Sequence, residues 1–354
     1  MSIVKAFFGN TPDGRAVYSY RLTNQSGMTA VILDYAGAIQ QLLVPDRRGR
    51  LVDVVCGYDN ITDYCLGDGA QGSLIGRYGN RIAKGKFTLD GQEYTLSRNN
   101  GENHLHGGNG GFHRQLFAAT PIEGAEPALR LTYTAADGEE GYPGTLDVTV
   151  TYTLTAENAL SIHYEAVTDR PTVVNLTNHA YFNLDGFASG TVLDHMLWVD
   201  ADAYLPTDAG LIPTGELRPV CGTPFDFNTP KTLGRDFCME DTDLMQAGGY
   251  DHCLCFTGGG TRVPTKRISL YSPTTGIVMD TYTTEPCVQL YTANFLENPA
   301  HSLKGGYPQT RQSAVCLETQ KMPDSPNKPH FIATVLRPGE KYDSMTVYAF
   351  GGSL

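Results

Sequence analysis

Between Leu146 and Leu154 the chain reads Leu-Asp-Val-Thr-Val-Thr-Tyr-Thr-Leu, with apolar and polar residues alternating without a break. A strand turns successive side chains to opposite faces, so this run commits one face to a core and the other to a wetter surface. Ala156-Glu157-Asn158 then supplies a turn, and Leu160-Ser161-Ile162-His163-Tyr164-Glu165-Ala166 repeats the alternation. The two runs predict an antiparallel hairpin with His163 on its solvated face. A second hairpin is predicted at Lys86–Leu89 and Gln92–Leu96, because the intervening Asp90-Gly91 suits a type I′ turn, whose central residues take positive φ. Arg267–Tyr271 and Ile277–Tyr282, separated by residues 273–276, predict a third.

Apolar spacing at i, i+3, i+4 and i+7 is never sustained, whereas Gly (39), Pro (20) and Tyr (20) are plentiful, as a chain of strands and turns requires. The expected fold class is therefore all-β: a large antiparallel β-sandwich of two sheets, with a small extra layer and few short helices. No repeat or linker divides the chain, so residues 1–354 are read as one domain, a length that large β-sheet domains reach.

A content of 41% hydrophobic and 18% charged residues describes an ordinary globule, neither disordered nor coiled. The formal net charge of -12 sets up a field that repels phosphate backbones and anionic lipid, so neither nucleic acid nor membrane is an expected partner. A neutral small molecule is indifferent to that field. The first ten residues lack the apolar run of a signal peptide, and no stretch is apolar enough to span a bilayer; the expected compartment is the cytoplasm. There the eight cysteines are expected as buried, reduced thiols. Cys253 and Cys255, two apart, would share one face of a strand. The Asn-x-Ser/Thr matches at Asn24, Asn60 and Asn175 have no use in that compartment. The acidic surface and the lack of a helix-pairing seam suit a monomer or loose homodimer.

Chemistry is concentrated in a few phrases: Gly76-Arg77-Tyr78-Gly79-Asn80-Arg81, Asn103-His104-Leu105-His106-Gly107-Gly108, Asn175-Leu176-Thr177-Asn178-His179 and Cys316-Leu317-Glu318-Thr319-Gln320. A carboxylate and an imidazole together can take a proton from one oxygen while delivering another elsewhere. His104 and His106 would share a strand face and chelate a metal only with further ligands at a recognisable spacing; none is evident, so no metal is expected. The glycines after His106 suit a loop whose backbone comes close to a ligand. Thr177 and Asn178 are expected to orient their loop. Asp251 reads either as a ligand contact or as a turn residue after Gly248-Gly249, and Tyr181 either as a site wall or as core packing. His113, His195, His301 and His330 have no partner identifiable from sequence.

In order and spacing, these phrases resemble the aldose 1-epimerase (galactose mutarotase) family. Gly138–Gly144, Leu205-Pro206, Ile212–Glu216, Gly249-Tyr250-Asp251-His252 and Val288–Phe295 extend the likeness over most of the chain. The resemblance implies a galactose mutarotase-like supersandwich that interconverts the α and β anomers of free aldohexoses such as galactose and glucose, without a cofactor. It also implies Glu318 as general base and His179 as general acid, with Asn80, Arg81, His106, Tyr181, Asp251 and Gln289 holding sugar hydroxyls. On that reading Glu318 starts ionised and His179 protonated, and the pH profile is a bell with the glutamate on its low side and the histidine on its high side. Two departures, Gly79 where relatives often have alanine and Phe117 where many have tryptophan, are expected to bear on the shape of the pocket. Three other readings stand beside this one: a glycoside hydrolase using Asp251 as second carboxylate, a non-catalytic sugar-binding module, and an epimerase of hexose 6-phosphates.

Overall fold

A computed structural model describes residues 2–67, 69–237 and 240–351. The alternating runs form the strands Leu146–Leu154 and Ala159–Thr168, paired antiparallel in register from Leu146 opposite Thr168 to Leu154 opposite Leu160. They sit within a nine-stranded sheet, where Tyr342–Phe350 joins Ala159–Thr168 to the predicted Thr265–Tyr271 and Val278–Thr283 hairpin. Val148, Val150, Tyr152, Ile162 and Tyr164 point inward and are buried, as the period-two pattern requires. The Asp90-Gly91 turn also forms, with φ of 50° and 82° between paired strands Lys86–Leu89 and Gln92–Thr95.

Opposite the nine-stranded sheet lies a six-stranded one, ordered Tyr181–Phe182, Val315–Gln320, Cys287–Tyr291, Asp251–Phe256, Ala201–Tyr204 and Arg218–Pro219. Its inner face contributes Phe182, Leu254, Phe256, Val288, Leu290, Val315 and Leu317 to one continuous apolar cluster shared with the larger sheet. Residues 2–53 add a five-stranded antiparallel sheet whose Tyr20, Leu22, Ala30, Ile32, Leu42 and Val44 join the same cluster. This third layer is larger than the small one expected. Among the described residues the α-helices are two, Ile61–Leu66 and Thr242–Ala247, each of six residues. The all-β sandwich with few short helices is therefore the fold.

The central strands of the six-stranded sheet are buried on both faces. One face meets the core; the other forms the floor of a cavity. Register arranges the side chains of that face in transverse rows: Tyr181, Cys316, Tyr291 and Asp251 in the first, Glu318, Gln289 and Cys253 in the second, and Gln320, Cys287 and Cys255 in the third, beside the cavity.

Candidate active site

The second row places Glu318 directly opposite Gln289. Glu318 is buried in a strand whose alternate residues, Val315 and Leu317, are locked into the core, which fixes the direction of its carboxyl. Across the cavity, His179 follows the short strand Thr177–Asn178, which pairs with Leu74–Ile75. Asn178 donates through Nδ2 to the Gly72 carbonyl at 2.8 Å, in keeping with its expected orienting role. The amide of Asn175 clamps the residue after Gln320: the Lys321 N–H donates to Asn175 Oδ1 at 3.0 Å, and Asn175 Nδ2 donates to the Lys321 carbonyl at 3.2 Å. The segment bearing the histidine is thereby tied to the strand bearing the glutamate. The outcome is a distance of 3.7 Å between His179 Nε2 and Glu318 Oε1. The other imidazole nitrogen, Nδ1, lies 3.5 Å from the Cys316 thiol, and the ring lies over Tyr181 at 4.8 Å between centroids.

The remaining wall comes from the glycine-bearing loops. Arg81–Ile82 pairs with His104–Leu105, after which His106, Gly107 and Gly108 all adopt positive φ. A Cβ on Gly107 would stand 1.8 Å from the Gly76 carbonyl oxygen, so only glycine admits the close approach of these two loops. The turn separates the two histidines expected to share a face. His104 bonds the Tyr142 hydroxyl at 2.6 Å and the Ser97 carbonyl at 2.7 Å behind the wall, whereas His106 lines the cavity. Arg77 is likewise structural, donating through Nη1 to the carbonyls of Pro143 and Gly144 at 2.9 and 2.8 Å. Arg81, in contrast, faces the cavity and donates through Nε to Asn100 Oδ1 at 3.0 Å. Asn80 joins the parts: its N–H donates to His106 Nδ1 at 3.2 Å, and its Oδ1 accepts from the Arg81 N–H at 2.8 Å.

The cavity measures about 770 Å³, within the range of small-molecule sites. Asn80, Arg81, His106, His179, Tyr181, Asp251 and Glu318 all line it, and Gln289 reaches it through the hydrogen bond from its Nε2 to Asp251 Oδ1 at 2.7 Å. Asp251 begins a strand and is no turn residue, and Tyr181 is a wall as well as packing. Glu318 Oε2 and Gln289 Oε1, both buried, have no hydrogen-bond partner among the described residues. Buried polar atoms left open in this way call for a hydroxyl-rich occupant or water. Tyr291, Phe295, Asn100 and Gln309 also contribute to the lining, and sequence reasoning singled out none of them. Tyr291 and Phe295 do stand in the quoted phrase at 288–295, where alternation with the buried Leu290 was the available signal for Tyr291.

Gly79 and Phe117 do not line the cavity. Phe117 packs in the core against Phe112 and Tyr133. A Cβ on Gly79 would meet the Asn175 carbonyl oxygen and Thr177 Cγ2 at 3.2 Å, behind the wall. Neither departure shapes the pocket surface directly. Of the histidines without an identified partner, His301 pairs with Asp63 at 2.7 Å, His330 with the Gly215 carbonyl at 2.8 Å, and His195 Nε2 accepts the Leu184 N–H at 3.0 Å. His163 is not merely solvated; it sits 3.0 Å from Asp343.

Burial governs the charges. It pushes the Glu318 carboxyl well above the usual carboxylate range, reinforced by the nearby Asp251 and opposed by Arg81. It pulls His179 down to about 4, and His106 well below the ordinary imidazole value. His179 and Glu318 thus stand at ion-pair distance, 3.7 Å apart, while burial opposes the charge on each. Burial therefore works against the expected resting state of ionised glutamate and protonated histidine.

His106, His179 and Glu318 bring their ligand atoms within 4.8 Å of one another, close enough for a metal ion. The hydrogen-bond pattern disfavours that use. Because His106 Nδ1 accepts the Asn80 N–H, the neutral ring carries its hydrogen on Nε2 and offers the cavity a donor, not a lone pair. A donor suits a sugar oxygen.

These features coincide with what comparison with other proteins finds. Residues 18–349 match the family model described as Aldose 1-epimerase. The chain is 41% identical to the galactose mutarotase of Bos taurus over 99% of both chains, and 37% identical to the aldose 1-epimerase of Escherichia coli over 96% of both. Its fold superposes on the crystal structure of an aldose epimerase homologue from C. elegans with a TM-score of 0.86 and 31% identity, covering 99% of this chain and 100% of that one. With residues 18–349 matching the family model and full-length relatives at about 40% identity, the chain belongs to the aldose 1-epimerase family.

Proposed function

We propose that the protein interconverts the α and β anomers of free aldohexoses, galactose and glucose among them, with Glu318 and His179 as its proton-transfer pair. The observation that carries this reading is the 3.7 Å approach of His179 Nε2 to Glu318 Oε1 inside a cavity walled by hydrogen-bonding side chains. Changing anomer requires opening the bond between C1 and the ring oxygen. The C1 hydroxyl loses its proton as the ring oxygen gains one; C1 turns, and the ring recloses on its other face with both transfers reversed. The pair holds one proton between carboxyl and imidazole. Sugar hydroxyls and Arg81 stabilise the carboxylate once the cavity is filled, so the proton passes to His179. Glu318 then acts as base towards the C1 hydroxyl and His179 as acid towards the ring oxygen.

The other side chains suit hydroxyl recognition. Arg81, Asn80 and His106 supply donors; Asp251, held by Gln289, supplies an acceptor for adjacent hydroxyls. Such buried groups discriminate strongly, because a missing hydroxyl leaves them unpaired. Among the described residues the cationic side chains on the lining are Arg81 and Lys84, set against Glu102, Asp208, Asp251 and Glu318, a balance that favours unphosphorylated sugars over hexose 6-phosphates. Catalysis is read as needing no cofactor or metal. We further read residues 1–354 as one domain, acting as a monomer or loose homodimer in the cytoplasm, with neither nucleic acid nor membrane as partner.

Polarimetry of freshly dissolved α-D-galactose tests the function. Optical rotation should reach equilibrium faster with the protein than without it, and more slowly accelerated with galactose 6-phosphate. Binding of galactose by calorimetry with no acceleration would identify a binding module instead, and release of phenol from an aryl galactoside would identify a hydrolase.

A further inference from the structure

Thiols that the proposed chemistry does not use stand in the second and third rows of the same sheet face. Cys253, Cys255 and Cys287 pack with Leu205, Met322 and Phe331 beside the cavity and are absent from its lining. Register sets Cys255 directly opposite Cys287. The Phe256 N–H donates to the Pro286 carbonyl at 2.9 Å, which marks 256 and 286 as a hydrogen-bonded pair. Hydrogen-bonded and non-hydrogen-bonded pairs alternate along an antiparallel ladder, so Cys255 and Cys287 form a non-hydrogen-bonded pair. In such a pair the Cα atoms lie about 4.5 Å apart and the side chains are at their closest. That separation falls inside the window of roughly 4.4 to 6.8 Å that a disulfide spans.

Cys253 is the poorer partner for either thiol. It stands opposite Gln289, and it lies two residues along the strand from Cys255, roughly 6.6 Å away with its side chain directed in parallel. The three thiols are chemically unequal. Hydrogen bonds from Cys253 and Cys287 pull the Cys255 thiol down to about 5, while Cys253 and Cys287 are held well above the ordinary thiol value. Cys255 is also the most accessible of the three, at 6% exposure against 2% for Cys253 and 0% for Cys287, so a small oxidant meets it first.

We propose that Cys255 and Cys287 are a redox modification site, a dithiol that closes reversibly to a cross-strand disulfide when exposed to hydrogen peroxide. The Cys255 thiolate attacks one peroxide oxygen; the O–O bond breaks, and the departing hydroxide takes a proton to leave as water, giving a sulfenic acid. The Cys287 sulfur, surrendering its proton, attacks the Cys255 sulfur, and the sulfenic hydroxyl departs as a second water. Two thiols are oxidised by two electrons and one peroxide is reduced to two waters. Nothing in this proposal depends on which sugar the cavity takes.

The test is peptide mapping by mass spectrometry on the full chain. The protein is treated with hydrogen peroxide, unfolded in the presence of iodoacetamide, and digested without reductant. The expected product is a Cys255–Cys287 linked peptide that disappears on adding dithiothreitol. In Cys287→Ser the link should be lost and Cys255 trapped by dimedone as its sulfenic acid. The proposal is overturned if Cys255 and Cys287 both remain alkylated while the exposed Cys221 is oxidised, or if the link formed involves Cys253. The wild-type map decides the matter even if the variant fails to fold.

Discussion

Glu318 and His179, the proposed acid/base pair, illustrate how far residue type and residue environment can diverge. A glutamate and a histidine are expected to be charged near neutrality, yet both are buried here, and burial opposes each charge. With burial favouring the neutral form of each group, the account assigns the two limbs of the pH profile in the opposite order to that expected from sequence. His179, with a value of about 4, gains a second proton for the pair on the acid side. Below that point the pair holds two protons, the base function is lost, and the rate falls. On the alkaline side Glu318, raised above the carboxylate range, gives up the shared proton; the pair then holds none, the acid function is lost, and the rate falls again. Polarimetric rates across pH should therefore give a bell whose acid limb lies near 4 and whose alkaline limb moves down when Asp251, which holds the Glu318 value up, is replaced by Asn. An alkaline limb unmoved in Asp251→Asn would contradict this account of the pair.

At the scale of elements, what could be read from sequence followed the chemistry of strands. The runs at 146–154 and 160–166 alternate because one face is wet, and they pair as expected. The central strands of the site sheet were harder to read, since both faces of Asp251–Phe256 are buried and cysteines occupy the face that in a surface strand would be polar. The divergence of His104 and His106 was hidden for another reason: it depends on positive φ at His106, a conformation that a non-glycine residue adopts only when the surrounding fold imposes it. The loops around that turn are held by Arg77, whose guanidinium satisfies buried carbonyls from two other segments. Arg77→Met keeps the apolar stem but leaves these acceptors unpaired, so it should destabilise the fold by about 3 kcal/mol or more, read as a lowered urea midpoint at unchanged slope. A midpoint within error of the wild type would show that these bonds contribute little.

For the whole molecule, one apolar cluster passes through all three main sheets, from Tyr20 to Phe350. The five-stranded sheet has no core of its own apart from that cluster and a smaller one around Tyr58 and Tyr291, which it also shares with the site sheet. Unfolding in urea should accordingly be a single transition, coincident by far-UV circular dichroism and by tyrosine fluorescence. Two separated transitions would break the reading of one domain. Sequence alone indicated the class of fold and most of the cavity wall, because hydrophobic periodicity and a set of ordered phrases carry that information. It did not indicate the size of the third layer, since short N-terminal strands joined by ordinary turns carry no mark of which sheet they enter.

The central claim is that the carboxyl at 318 moves the proton. Its most direct test is the initial rate of optical-rotation change for α-D-galactose with Glu318→Gln, a substitution close to isosteric, in protein shown to bind galactose by calorimetry. The account predicts a loss of at least about 100-fold in kcat, as removal of an acid/base group produces, with binding retained. A Glu318→Gln protein that equilibrates galactose at the wild-type rate would contradict it.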